Sequence, residues 1–218
     1  MIYTVTLNPS VDVFLEVNNL NIGNRNHVSD EFTLPGGKAL NVSRVLSQLK
    51  IPTVATGFIG GHQGNFIEQW LDKENIMTDF VNIEEENRTN IKLLLDNEET
   101  TIDSKGPNIS HFEVDELLYY LSRVGEGDTI VFGGSVPPME EKADEDIYSR
   151  MISIAKANKA NFIADIPAKY LPGAIKENPI LVKPNVDDLM EIFGTKIETI
   201  EDMDKYGKKI VEMGAQNA

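Results

Sequence analysis

Short β-branched runs alternate with longer stretches of helical spacing from the first residue of this chain onward. That rhythm predicts a mostly parallel sheet covered by helices, an α/β fold. Core strands are expected near 2–7, 53–58, 128–133, 161–165 and 180–183. Helices are expected over 38–49, 64–74, 112–123, 145–158, 186–193 and 201–213. Two pairs of segments break the alternation. Residues 11–18 with 28–34, and 88–95 with 99–103, read as strands joined by turns, with Asp96-Asn97 at one tip. They have no helices of their own, so a small separate sheet, placed like a lid, is predicted. The expected division is a core of residues 1–10, 35–86 and 105–218 and a lid of residues 11–34 and 87–104.

The most telling stretch opens the first helix: Gly36-Gly37-Lys38-Ala39-Leu40-Asn41. Two glycines remove the Cβ atoms that keep a ligand off the backbone, and they tolerate positive φ. The helix start points free N–H groups and the positive end of its dipole at the same spot. Lys38 and Asn41 share a face of the first turn. Val42, Val45, Leu46 and Leu49 are expected to fill the buried face. The pattern suits a loop for a hydroxylated, anionic small molecule, and equally a purely structural turn.

Charge narrows the ligand classes. A net charge of −15 argues against nucleic acid and against an anionic membrane surface. A small anion remains possible where local Lys and Arg reverse the field inside one cleft. With no cysteine, disulfides, thiolate zinc sites and cysteine nucleophiles are excluded. The N-terminus reads as a strand without a basic leader, and no apolar run suits a bilayer, so a cytoplasmic location is expected. His27, His62 and His111 are scattered and are expected as solvent-facing loop residues, not metal ligands. Glu84-Glu85-Glu86 and Glu140-Glu141 are expected to be solvated surface.

Candidate chemistry gathers at strand ends. Thr6-Leu7-Asn8-Pro9-Ser10-Val11-Asp12 follows strand 1, where ligands of open α/β sheets sit. An ionised Asp12 could accept bonds from sugar hydroxyls, and an Asx-type turn through Asn8 is the alternative. Arg88, Asn90 and Lys92 alternate onto one strand face, placing two cations to hold an anion or simply marking an exposed lid strand. Phe132-Gly133-Gly134-Ser135-Val136-Pro137-Pro138 makes a tight turn that offers a hydroxyl, and Asp165 ends the next strand. Lys183 ends a third strand, within reach of a polyphosphate. Asn185 and Asp188 at the following helix start could hold a water-shelled Mg²⁺, although Asn185 is also a natural N-cap.

Taken in order, Thr6 to Asp12, Gly36-Gly37-Lys38 with Asn41, Gly134-Ser135-Val136-Pro137-Pro138 and Lys183-Pro184-Asn185 resemble the ribokinase/PfkB sugar-kinase family. Within it the resemblance is nearest the 1-phosphofructokinase branch, with the tagatose-6-phosphate kinases as neighbours. It implies a ribokinase-like core with a β-lid, a small sugar phosphate as substrate, and ATP with Mg²⁺ as donor. It also implies a homodimer clasped through its lids. The activity implied is phosphorylation of fructose 1-phosphate to fructose 1,6-bisphosphate. By the same resemblance Asp12 and Asn41 hold sugar hydroxyls, with close backbone approach at Gly36 and Gly37. Lys38, Arg88 and Lys92 grip the phosphate already on the sugar, Ser135 belongs to the substrate site, and Arg25 reaches a neighbouring subunit's sugar phosphate. Lys183, Asn185 and Asp188 handle ATP phosphates, with Asp188 near Mg²⁺. Asp188 stands where the family usually has Glu, a shorter arm toward the metal.

The family continues past the helix at 201–213 into further strands and a Gly-Ala/Ser-Gly-Asp motif carrying the anion hole and the catalytic base. This sequence reaches Ala218 before any such motif. The resemblance therefore implies an open sheet edge and no catalytic base among these residues, hence a polypeptide that is inactive or feeble. The alternatives are a tagatose 6-phosphate substrate, or a non-catalytic remnant that binds sugar phosphate or dimerises.

Overall fold

The structure, a computed structural model, describes residues 1–96, 98–140 and 146–218. Asn97, Glu141 and the first residue of the helix expected at 145–158 lie outside the described residues. In chain order the strands are β1 (Ile2–Thr6), β2 (Ser10–Glu16), β3 (Asp30–Gly36), β4 (Thr53–Ile59), β5 (Met77–Thr78) and β6 (Val81–Asn82). They continue as β7 (Arg88–Leu95), β8 (Glu98–Ile102), β9 (Thr129–Gly133), β10 (Asn161–Asp165) and β11 (Leu181–Val182). The helices are α1 (Lys38–Gln48), α2 (Gly61–Lys73), α3 (His111–Leu121), α4 (Ile147–Ala157), α5 (Leu171–Ile175), α6 (Val186–Phe193) and α7 (Ile200–Glu212).

Among the described residues the main sheet runs β11-β10-β9-β1-β4-β5, with β6 beside β4, and every pairing is parallel. Its central strands are nearly continuous apolar runs because helices cover both faces. Val5, Phe58, Ile130, Phe132, Phe162 and Ala164 face one large cluster with α3, α4, α5 and α7. Ala55 and Ile59 face α1 and α2 on the other side. The chain leaves β1 for β4 on one side and later returns to β9 on the other. The crevice at the carboxyl ends of β1 and β9 is thus a topological switch point, the place where such sheets take ligands.

α1 buries a different face from the one its large apolar residues suggest. Ala39, Leu40 and Ser43 are buried, whereas Val45 and Leu49 are 56% and 63% exposed. The cause is close packing on β1 and β4: Ser43 Oγ lies 2.7 Å from both Thr4 Oγ1 and Thr53 Oγ1. Small side chains and a buried hydroxyl chain bring the helix onto the sheet, with Val42 and Leu46 only half-buried at its flank.

Three further differences from expectation are local. A 3-10 turn (Ala168–Tyr170) and α5 follow β10, with Pro172 in the first turn of α5, where a missing N–H costs nothing. His62 and His111 sit at the starts of α2 and α3, each with Nδ1 3.1 Å from a carboxylate, of Glu86 and Glu140 respectively. They are helix-start residues, not loop residues, and no group of potential metal ligands gathers among the described residues. Thirdly, the β11 edge is partly lined: Val182 donates its N–H to Asn217 at 3.0 Å. No described helix is long and apolar enough to cross a membrane.

The second sheet runs β3-β2-β7-β8, with β2 parallel to β7 and antiparallel to β3. Register pairs Ser10 with Arg88, Asp12 with Asn90 and Phe14 with Lys92, so all six side chains share one face. Val11 on the opposite face packs with Ile67 and Leu71 of α2, which seats this sheet against the larger one.

Candidate active site

Two clusters meet at the switch-point crevice. The first joins the lid to β1 and β9. Arg88, half-buried at the start of β7, donates from Nε to the Asn8 carbonyl at 3.3 Å. Its Nη1 reaches the Ser104 carbonyl at 3.1 Å and its Nη2 reaches Ser135 Oγ at 3.3 Å. All of these acceptors are neutral. No carboxylate among the described residues pairs with Arg88; burial pulls its pKa below the ordinary guanidinium value, and Asp103 and Asp12 oppose that only at a distance.

Asn8 is buried and donates to the Lys105 carbonyl at 2.9 Å and to Ser135 Oγ at 3.3 Å. Its side chain therefore bridges three chain segments and builds no Asx turn. Asp12 Oδ1 accepts from Ser10 Oγ at 2.7 Å and from Asn90 Nδ2 at 3.0 Å. Asp12 Oδ2 keeps its hydrogen-bonding capacity free among the described residues. A Cβ on Gly36 would collide with the Asp12 carboxylate and the Ser10 hydroxyl. Glycine at 36 is thus required first by the protein's own Asp12.

The second cluster is ionic. Asp165, at the end of β10, takes Lys38 Nζ on Oδ1 at 2.8 Å and Lys183 Nζ on Oδ2 at 3.0 Å. Its side chain is 17% exposed, while the lysines are 46% and 64% exposed. Gly37 caps α1, and the helix start abuts the next turn: a Cβ on Gly133 would stand 2.8 Å from the Ala39 nitrogen. Gly134 has φ 102°, a conformation that favours glycine, and donates its N–H to the Asp165 carbonyl at 3.1 Å. The Gly134–Ser135 turn thus connects the two clusters.

Other expected site residues stand apart. Lys92 shares the Arg88 face but donates to Glu99 at 3.2 Å and lies 5.9 Å from the Phe14 ring centroid. Arg25 is exposed in the loop between β2 and β3 and pairs with nothing among the described residues. Asn41 is exposed, and its Oδ1 accepts from Arg44 Nη1 at 3.4 Å. Asn185 and Asp188 form a capping box at α6: Asn185 Oδ1 accepts from the Asp188 N–H at 2.7 Å, and Asp188 Oδ2 from the Asn185 N–H at 2.9 Å.

The pfkB family carbohydrate kinases match this chain over residues 7–218. The chain belongs to the pfkB family. The 1-phosphofructokinase of Bacillus subtilis is 39% identical over 217 residues, spanning 100% of this chain and 70% of that protein. A tagatose-6-phosphate kinase of Staphylococcus epidermidis is 34% identical over 200 residues, 90% of this chain and 64% of that one. Among solved structures, phosphofructokinase-2 from Escherichia coli in complex with substrates and products superposes with TM-score 0.89 at 25% identity. That match covers 98% of this chain and 70% of the other.

Within this pfkB-family chain, two members of the crevice escape a reading by motif. Asp165 lies 127 residues from Lys38 in sequence, so its role as a shared counterion is visible only once the strands align. Asn90 shows its period-2 position plainly, but not that it would bridge Asp12 and the Ser104 N–H, the latter at 3.2 Å.

Proposed function

We propose that this site binds a ketohexose phosphate, fructose 1-phosphate foremost, for ATP-dependent phosphorylation to fructose 1,6-bisphosphate. The observation that carries this reading is Arg88, a half-buried cation whose three hydrogen bonds among the described residues all end on neutral oxygens, with two N–H donors left over. A phosphate dianion supplies the missing countercharge. Asp12 Oδ2, free of partners beside it, accepts from sugar hydroxyls. Asn41, Gly36 and Gly37 complete the sugar contacts, and Ser135 joins Arg88 at the phosphate. Lys92 reaches that phosphate by leaving Glu99, and Arg25 serves a neighbouring subunit's substrate.

Lys38 turns toward the phosphate already on the sugar and Lys183 fits the phosphates of ATP, because two ammonium groups sharing one carboxylate leave an uncompensated positive charge between the two positions. When bound there, ATP supplies the phosphoryl group. Asn185 lies beside them at the start of α6. With Oδ2 of Asp188 committed to the capping box, Asp188 reaches Mg²⁺ only through water, from Oδ1. None of residues 1–218 is assigned the role of base toward the accepting hydroxyl.

The same reading includes the core and lid division at residues 10/11, 34/35, 86/87 and 104/105, a cytoplasmic location, and a homodimer through the lid. The dimer is supported by Phe32 and Ile22, 46% and 85% exposed on or beside the lid. A strictly monomeric mass by light scattering would remove it. Tagatose 6-phosphate is the second reading, favoured by the Staphylococcus epidermidis relative. Calorimetric titration with fructose 1-phosphate, fructose 6-phosphate and tagatose 6-phosphate decides. Fructose 1-phosphate should bind tightest, and absence of binding by all three would end the sugar-phosphate reading.

A further inference from the structure

We propose that Tyr148 is a positioning residue for this site: its buried hydroxyl holds the Gly134 carbonyl and thereby fixes where Ser135 meets Arg88. The inference rests on the sugar-phosphate reading of the Arg88 cluster.

Tyr148 lies on the second residue of α4 and is 1% exposed. Its ring packs edge-on against Phe132 and Tyr170, at centroid distances of 6.2 and 5.1 Å. Phenylalanine would fill the same space, so packing alone does not account for the hydroxyl. That hydroxyl donates to the Gly134 carbonyl at 3.0 Å. Burial, with the neighbouring Tyr170 and Asp165, pushes the phenol above its ordinary pKa, so it stays a protonated donor at working pH.

Gly134 has no side chain to anchor it, and its positive φ gives it no intrinsic preference for this geometry over others open to glycine. It is held at both polar ends instead. Its N–H donates to the Asp165 carbonyl at 3.1 Å, and its C=O accepts from Tyr148. The next residue, Ser135, accepts from Arg88 and from Asn8, each at 3.3 Å. Removing the phenol hydroxyl leaves the carbonyl without its donor, a condition that polar backbone relieves by turning toward another partner. Rotation of that peptide carries Ser135 Oγ away from the guanidinium.

The test is Tyr148→Phe, read by calorimetric titration with fructose 1-phosphate. The expected result is binding about tenfold weaker, the scale of a lost buried hydrogen bond. Phe162→Leu, which thins the same core without touching the turn, should lower the melting temperature and leave affinity within about twofold. In a Ser135→Ala background the Tyr148→Phe loss should vanish, because the hydroxyl acts through Ser135. Should Tyr148→Phe fail to fold, 3-fluorotyrosine at position 148 supplies a folded probe whose ¹⁹F resonance should move on saturation with fructose 1-phosphate. Unchanged affinity in Tyr148→Phe, a loss that persists in Ser135→Ala, or a static ¹⁹F resonance would each overturn the inference. Unaltered protein that binds no sugar phosphate would overturn the functional reading itself, and this inference with it.

Discussion

The two halves of the crevice hold their cations in opposite ways. Arg88 is anchored by two carbonyls and a hydroxyl, half-buried, with no carboxylate among the described residues bonded to it. Lys38 and Lys183 are exposed and share the Asp165 carboxylate. An anion arriving at Arg88 meets a donor array already in place, so little ordering entropy remains to be lost. An anion arriving at the lysines must draw them off Asp165 and order two flexible chains in solvent, where screening weakens every pair. The first half is built to recognise, whereas the second can exchange one anionic partner for another.

Replacing Arg88 gives the largest expected effect. Arg88→Met should weaken fructose 1-phosphate binding by about 100-fold, since several charge-assisted bonds go at once. It should also loosen the lid, because the Asn8 and Ser104 carbonyls lose their donor. If calorimetry shows a loss below about fivefold, Arg88 is a structural tie and the contrast between the halves fails. Lys183→Met should weaken ATP binding by only about fivefold, and the difference should shrink as salt rises toward about 0.5 M. A loss as large as that of Arg88→Met, insensitive to salt, would show the lysine half to be equally preorganised.

This contrast could not be seen in the sequence, and the reason is specific. Alternation along β2 and β7 already places Arg88, Asn90 and Lys92 on one face, and the glycine pair marks the start of α1. Strand ends were legible because parallel strands buried on both faces are short apolar runs bounded by polar residues. Counterions, however, come from distant segments: Asp165 meets Lys38 across 127 residues, while Lys92 is diverted to Glu99 by the neighbouring strand β8. Periodicity also misplaced the buried face of α1, because the hydroxyls of Thr4 and Thr53 select Ser43 over larger apolar residues. Hydrophobic spacing reports how much a helix can bury, not how closely the sheet lets it approach.

The smallest expected effect asks whether exposure is what makes an ion pair here exchangeable. Arg44 and Glu74 tie α1 to α2 through a bidentate contact, Nε to Oε2 at 2.9 Å and Nη2 to Oε1 at 2.9 Å. Their side chains are only 19% and 27% exposed. Trp70 Nε1 adds a donor to Oε1 at 2.7 Å. The Arg44 hydrogen bonds hold the Glu74 carboxyl below its ordinary value, against the opposing pull of burial. A depressed folded-state pKa means that the native protein binds fewer protons than the unfolded chain, so this contribution is present above the ordinary glutamate value. It disappears as pH falls through the lowered value of Glu74. Glu74→Gln should therefore cost about 0.5–1 kcal/mol at neutral pH, discounted for partial solvent screening. Denaturant melts of both proteins should converge on acidification below about pH 4. Asp165→Asn, which breaks the more exposed lysine pairs, should cost less than Glu74→Gln at neutral pH. An equal or larger loss in Asp165→Asn would mean that the lysines are fixed parts of the fold, and that the crevice has no half free to trade partners.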